Sequence, residues 1–419
     1  MEPLIQLAVG RLEIDWGKNL VIKDHSPLFQ PGDVKDVPYY YIDDAAEEFC
    51  CLTEEGCKVV LKLKEGFSKP FKEVVERIDL LGYTLETCRK EFLYLAEINK
   101  FNTSVFSFEH LQKSLSLVPI NSISLDYGEG GEDFGKFFRR QLFPRLGISG
   151  LVEDPRYVEY EVGEAMENIS SYTILKLLSE NPLVLSQSVI WAFKDLEENE
   201  YAVNDRFAKS LGPADRFLIV TEGSSDALIL KHALSLLKPH LGDFFDFVDM
   251  ENGYPFSGAG NLKKFVKGLV SISIQNNVVV LFDNDSEGIA NFEYCKRLSV
   301  PENMKIIKLP NLECFKKFKA IGPDGTHFAD INGTGAAIEC YLDVGDKACI
   351  RWKSYNDERG CYQGALIDKE QYKKIFLKQS HKQDDYNYTN IAIVLQGIIN
   401  TCIKMKELQV CKEFERHNI

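Results

Sequence analysis

Phe217-Leu-Ile-Val-Thr-Glu222-Gly-Ser-Ser-Asp226 and Val278-Val-Val-Leu-Phe-Asp283-Asn-Asp285-Ser-Glu-Gly288 decide the fold. Each is a short apolar run that breaks off in acid and glycine. Phe217–Val220 and Val278–Phe282 are too continuously apolar to alternate, which suits strands of a parallel sheet covered on both faces. Asp226–Leu237 and Glu287–Leu298 follow as helices rich in Ala, Leu and Ile or in mixed polar residues. Strand, acidic turn and helix, repeated, predict a doubly wound sheet, whose ligands collect outside the carboxyl ends of its strands. Glu222, Asp283 and Asp285 fall at that edge.

Carboxylates crowded there repel one another unless a cation intervenes. Mg²⁺ suits the role, because it takes carboxylate oxygens and leaves positions for water and phosphate. Asp-x-Asp in a turn aims two carboxylates at one ion, and Glu222 can complete the site or take a proton from an attacking water. The plainer reading, acids capping helix N-termini, explains any one of these residues but not the whole constellation.

Thr-Glu222-Gly-x-x-Asp226 followed by Phe-Asp283-x-Asp285-x-x-Gly288 resembles the Toprim domain of primases, topoisomerases and the overcoming-lysogenization-defect nucleases. The resemblance implies an α/β fold with a Toprim-like Rossmannoid parallel sheet over 206–345, preceded by an α+β amino-terminal domain. It implies that Glu222 is the general acid or base and that Asp283 and Asp285 hold Mg²⁺, with Mn²⁺ able to substitute. Glu222 also counts among the metal-site carboxylates. Gly223, Asp226 and Gly288 support the motif. Gly333-Thr-Gly-Ala-Ala-Ile-Glu339 is similar to a segment of Toprim nucleases in which a further acid lies near the metal, making Glu339 a secondary ligand. Lys305-Ile-Ile-Lys308-Leu-Pro310 reads as another buried strand, and Lys308 is a candidate to neutralise charge on the reacting phosphate.

Outward from this core, Leu4–Ile22 alternates with period two and predicts a hairpin turning near Gly10. Val59, Leu61 and Leu63 predict a strand ending at Glu65-Gly66. Pro70 then starts a helix with Phe71, Val74, Val75 and Ile78 on one face, and Thr84 caps the next, to about Asn99. Residues 1–115 thus form an α+β region and 116–205 a mostly helical part, with helices over 164–181 and 184–199. A charged stretch, Asp195–Asp205, marks a boundary. Tyr127–Phe134 is a glycine-rich acidic turn; Phe137 stands where a phosphate loop needs Ser or Thr. Ala8-Val-Gly-Arg-Leu-Glu-Ile-Asp-Trp-Gly-Lys-Asn19 and Ile78-Asp-Leu-Leu-Gly-Tyr83 are similar to the domain named for preceding HEPN or Toprim modules. The arginine–histidine ribonuclease motif of true HEPN domains has no counterpart among the seven histidines, so this half is assigned no catalysis. Residues 346–419 are a polar, lysine-rich extension with a helix from Asn390 to about Met405.

The net charge of −14 argues against a passive nucleic-acid coat. Local basic patches remain for docking. They are Lys136–Arg145, carrying Lys136, Arg139 and Arg140, then Lys263–Lys267, carrying Lys263 and Lys264, and Lys316–Lys319. Eleven cysteines without paired C-x-x-C spacing suit reduced thiols in a cytoplasm and deny a primase-type zinc domain. No apolar run is long enough for a membrane span. No strand-passage domain surrounds the tyrosines, and no G-x-x-x-x-G-K-[ST] occurs, so an associated ATPase would act in trans. What remains is a Mg²⁺-dependent endonuclease cutting DNA or RNA, including tRNA, in antiviral defence, with nucleic acid as substrate and a partner protein or oligomer as options. The alternative is a non-catalytic binding or regulatory module with a structural metal.

Overall fold

Two sheets of opposite grammar dominate the computed structural model. It describes residues 4–10, 12–18, 23–52, 56–122, 162–163, 165–193, 211–248, 258–323, 325–357, 359–382 and 385–416. The chain divides into two compact units, one formed by 1–210 with 406–419 and the other by 211–405. The Tyr127–Phe134 turn, the Lys136–Arg145 patch and the 195–205 boundary lie outside the described residues.

The first unit is built on an antiparallel sheet. Its strands are β1 (Leu4–Val9), β2 (Leu12–Lys18), β3 (Val34–Ile42), β4 (Cys51–Leu52), β5 (Lys58–Pro70) and β6 (Ser188–Phe193). The order is β2-β1-β6-β5-β3, with β4 also on β5. The β1–β2 hairpin turns at Gly10, whose positive φ of 57° favours glycine. Two expectations change here. Residues 188–193 are a strand rather than part of a helix: Ser-Val-Ile-Trp-Ala-Phe is β-branched and aromatic, and it pairs with β1 on one edge and β5 on the other, while its continuous apolar run shows no period in the sequence. The strand expected to end at Gly66 runs on to Pro70, because β6 gives its last five residues a partner. Trp191, fully buried, packs on Phe29, Phe67 and Phe193.

Helices α1 (Phe71–Leu80), α2 (Leu85–Ile98), α3 (Phe108–Ser116) and α4 (Ser171–Leu178) belong to the same unit. Thr84 caps α2 by accepting the Thr87 N–H. The helix expected over 164–181 is interrupted before Ser170, which caps α4 through the Tyr172 N–H, and Asn181 closes it by capping the turn Pro182–Leu185.

The second unit carries the parallel sheet. Strands β7 (Phe217–Val220), β8 (Phe245–Phe247), β9 (Asn277–Phe282) and, after the two-residue β10 (Asn284–Asp285), β11 (Met304–Lys308) lie in the order β11-β9-β7-β8, every pair parallel. Helices α5 (Ser224–Leu237), α6 (Ala259–Ser271) and α7 (Ser286–Lys296) connect them. All six residues of β9 are buried, as a central strand requires. Val278, Val280 and Phe282 form a core with Leu262, Val266 and Phe292 of α6 and α7. Each such side chain contributes about 1.5–3 kcal/mol by leaving water.

Beyond β11 come β12 (Phe318–Gly322), β13 (Gly325–Ala329), β14 (Gly335–Ala336), β15 (Ile350–Asn356) and β16 (Cys361–Leu366). Four of them form a mixed sheet, β13-β12-β15-β16, while β14 pairs antiparallel with β10. Helix α8 (Lys369–Leu377) and the long α9 (Thr389–Arg416) follow. The latter outruns its expected end at Met405, because Cys411 and its neighbours find a place against α2 in the first unit.

Candidate active site

The register of the parallel sheet sets the site. Phe217 pairs with Asn277 and Val220 with Val280, so the residues after Val220 run level with the end of β9. Glu222 is thereby brought beside Asp283, and its Oε1 accepts the Asp283 backbone N–H at 2.9 Å. The turn beyond is built from its own residues. Thr221, buried, donates to the Gly223 carbonyl, and the Gly223 N–H donates to Asp226 Oδ2 at 3.0 Å, closing the start of α5.

Asp285 plays the matching part for α7, accepting the Gly288 N–H on Oδ1 at 2.7 Å. Gly288 is fixed by crowding. A Cβ there would stand 2.4 Å from the Asp283 carbonyl oxygen and 2.9 Å from Glu222 Oε1. Only a residue without a side chain lets α7 approach this closely.

Asp226, Asp283 and Glu339 complete the cluster. Glu339 lies on the 3₁₀ turn Ile338–Tyr341, 2% exposed, with Lys369 Nζ 3.5 Å from its carboxylate. Burial pushes the Glu222 carboxyl up to about 8; the charges of Asp285 and Asp226 add to this while the Asp283 N–H opposes it. Burial and then the Glu339 charge raise Asp226 to about 7. Asp283 is raised well above the usual range by burial and by Asp226, Glu222 and Asp285. Burial raises Asp285 too, against the pull of its Gly288 and Gln363 hydrogen bonds.

The Asp283 carboxylate accepts no hydrogen bond or ion pair among the described residues. The charges acting on it, from Asp226, Glu222, Asp285 and Glu339, are carboxylates, the hard oxygen ligands that Mg²⁺ takes. Among the described residues no group of three His, Cys, Asp or Glu side chains is placed to hold a metal ion together. Glu222, Asp226 and Asp285 each commit an oxygen to a backbone N–H. The arrangement therefore fits an ion held by one or two carboxylates with water and phosphate in its other positions, rather than a closed structural site.

Two residues of the carboxyl-terminal extension reach the site, and sequence reasoning passed over both. Gln363 on β16 donates from Nε2 to Asp285 Oδ2 at 2.5 Å and accepts the Glu287 N–H on Oε1 at 3.0 Å. Arg359 Nη1 donates to the carbonyls of Ser286 and Gly333. Nothing local marked them; the Gly364 N–H donates to the Thr334 carbonyl, which brings this segment beside Gly335–Ala336, the partner of Asn284–Asp285.

Lys308 lies at the end of β11 with its ammonium donating to Asn284 Oδ1, the Leu309 carbonyl and Asn311 Oδ1. Those three bonds use all three of its protons. Burial, with Arg359 nearby, lowers its pKa. Lys263 lies on α6 with its ammonium 5.1 Å from the Tyr294 ring centre, and Lys264 is exposed beside it. Neither contacts the acidic cluster. Lys136, Arg139 and Arg140 fall outside the described residues.

A family model described as HEPN/Toprim N-terminal domain 1 matches residues 1–215, the half that carries Ala8–Asn19 and Ile78–Tyr83. No curated protein and no solved structure matches the chain.

Proposed function

The chain belongs to the HEPN/Toprim N-terminal domain 1 family, and from that premise we propose that residues 211–405 are a Toprim-type, Mg²⁺-dependent endonuclease. A nuclease-like function in general accords with the family; the finer reading is carried by one observation. Glu222, Asp226, Asp283, Asp285 and Glu339 gather at the carboxyl edge of a parallel sheet, with the Asp283 carboxylate unpartnered.

Asp283 and Asp285 are the residues that would hold Mg²⁺, with Glu339 further out. Held there, such an ion would supply charge neutralisation at the phosphodiester and would make water easier to deprotonate. Glu222, with its pKa near 8, exchanges a proton close to neutral pH, which suits a general base or acid. Its bond to the Asp283 N–H fixes one oxygen and leaves the other for that exchange. Lys308, tied to Asn284, positions the turn between the two aspartates rather than meeting phosphate directly. Cleavage of phage or host nucleic acid in antiviral defence is the biological role that this activity and family suggest.

The test is cleavage of plasmid DNA, single-stranded DNA and tRNA by the wild type and by Glu222→Gln, with Mg²⁺, with Mn²⁺ and with EDTA. Metal-dependent cutting that the variant loses supports the endonuclease. No cutting of any substrate, with metal binding intact, supports a non-catalytic binding module instead.

A further inference from the structure

We propose that the open face of the sheet β13-β12-β15-β16 is a platform for single-stranded nucleic acid, leading the strand to Asp285. The proposal deepens the endonuclease reading and rests on it for the role of Asp285. Its basis is local charge. The 211–405 unit is nearly balanced, with 24 Asp and Glu against 23 Lys and Arg, and these four strands hold Lys319, Arg351 and Lys353 and not one Asp or Glu. All three cations are exposed, and none has an ion-pair partner among the described residues. Unneutralised cations on a sheet free of carboxylates call for an anionic ligand.

The strand register says which side is involved. Lys319 pairs with Phe328, Ile321 with Arg351, and Arg351 with Ala365. Because side chains alternate, Lys319, Phe328, Arg351, Ala365 and Gln363 share one face. The opposite face holds Ala320 and Ile350, both fully buried, and is the core side. Phe328 is 64% exposed on the open side, with Lys317 Nζ 5.6 Å from its ring centre. At the far edge Gln363 hydrogen-bonds Asp285. With strands about 4.8 Å apart and Gln363 about four residues further along the strand direction than Phe328, the path between them runs diagonally for roughly 20 Å.

An exposed ring flanked by cations binds an unstacked base and its phosphates, whereas a duplex hides the faces of its bases. A protein partner would more naturally match these cations with carboxylates and has no use for the line toward Asp285. The occupant is therefore a single strand, with a base on Phe328 and phosphates at Lys319 and Arg351.

The experiment is fluorescence anisotropy of labelled oligothymidine and oligouridine, and of a duplex of equal length, with the full chain in EDTA so that nothing is cut. The wild type should bind the single strands more tightly than the duplex. Lys319→Ala with Arg351→Ala should weaken binding at least about tenfold and flatten the slope of log K against log salt by about 1.4. Phe328→Ala should weaken it by roughly tenfold with the slope unchanged. If the double variant is thermally destabilised, Phe328→Ala, at a solvent-exposed position, decides alone. Absent binding, a preference for duplex, or affinity indifferent to these changes overturns the platform. A wild type that binds but never cuts with metal refutes the nuclease and leaves the platform standing. One that cuts while ignoring these side chains does the reverse.

Discussion

Glu222 Oε1 and the backbone nitrogen of Asp283 lie 2.9 Å apart, so a single hydrogen bond ties the ends of the two central strands together. Glutamine keeps an acceptor oxygen for that bond and loses the titrating proton. Glu222→Gln should therefore retain the fold and lower cleavage by about 10²–10⁴. Glu222→Ala should lower both activity and melting temperature, since the Asp283 N–H is left without its partner. Circular dichroism melts beside a single-turnover cleavage assay separate the two effects; equal melting of both variants would sink the structural half of the claim.

The acidic cluster makes stability depend on pH in a direction opposite to that of a salt-bridged carboxylate. Glu222 rises from 4.5 to about 8 and Asp226 from 3.8 to about 7 on folding. A group whose folded pKa is raised contributes stability fully below its unfolded pKa and loses it as pH climbs through the folded value. Metal-free protein should accordingly melt at progressively lower temperature between pH 4.5 and about 8. Mg²⁺, which needs the deprotonated carboxylates, should raise the melting temperature more at the upper end of that window than at the lower. Differential scanning fluorimetry with EDTA or Mg²⁺ measures both.

Gly288→Ala forces a methyl group to within 2.4 Å of the Asp283 carbonyl oxygen, which is backbone and cannot swing aside. The start of α7 must move, and Asp285 with it. A loss of about 1–3 kcal/mol in urea unfolding and a larger proportional loss of activity are expected. Unchanged cleavage in a destabilised variant would mean that the approach of α7 matters to the fold only.

Gln363→Leu removes the amide that holds Asp285 Oδ2 and frees the Glu287 N–H. Metal affinity should fall about 10–100-fold, as for other residues that orient a ligand from behind. Mn²⁺ binding followed by electron paramagnetic resonance checks this without any turnover. Affinity equal to wild type would remove Gln363 from the site.

The parallel sheet was legible because its strands are continuous apolar runs and its acids stand immediately after them. Phe217–Val220, Asn277–Phe282 and Met304–Lys308 appear where the sequence places them, as do α5 and α7. Trp191 and its neighbours were not legible. A short continuous apolar run has no period to choose between helix and strand. Gln363 and Arg359 were hidden for a different reason. Their side-chain contacts with the Asp285 turn span more than seventy intervening residues, which no local motif records. The exposure of Phe328 and the buried state of Glu339 likewise follow from tertiary packing and not from neighbours in sequence.

The first unit is assembled from two separate pieces of chain, 1–210 and 406–419. Thr84 donates to Glu407 at 2.6 Å and Lys90 pairs with Glu415 at 2.7 Å, so the final turns of α9 fasten α2. On the ribosome those turns emerge only after all of 211–405 has been made. The amino-terminal unit is therefore not completed by its own first 210 residues: the fastening of α2 comes only with residues translated after the whole of 211–405. A chain truncated after residue 405 would lack both Glu407 and Glu415 and would leave α2 without either contact.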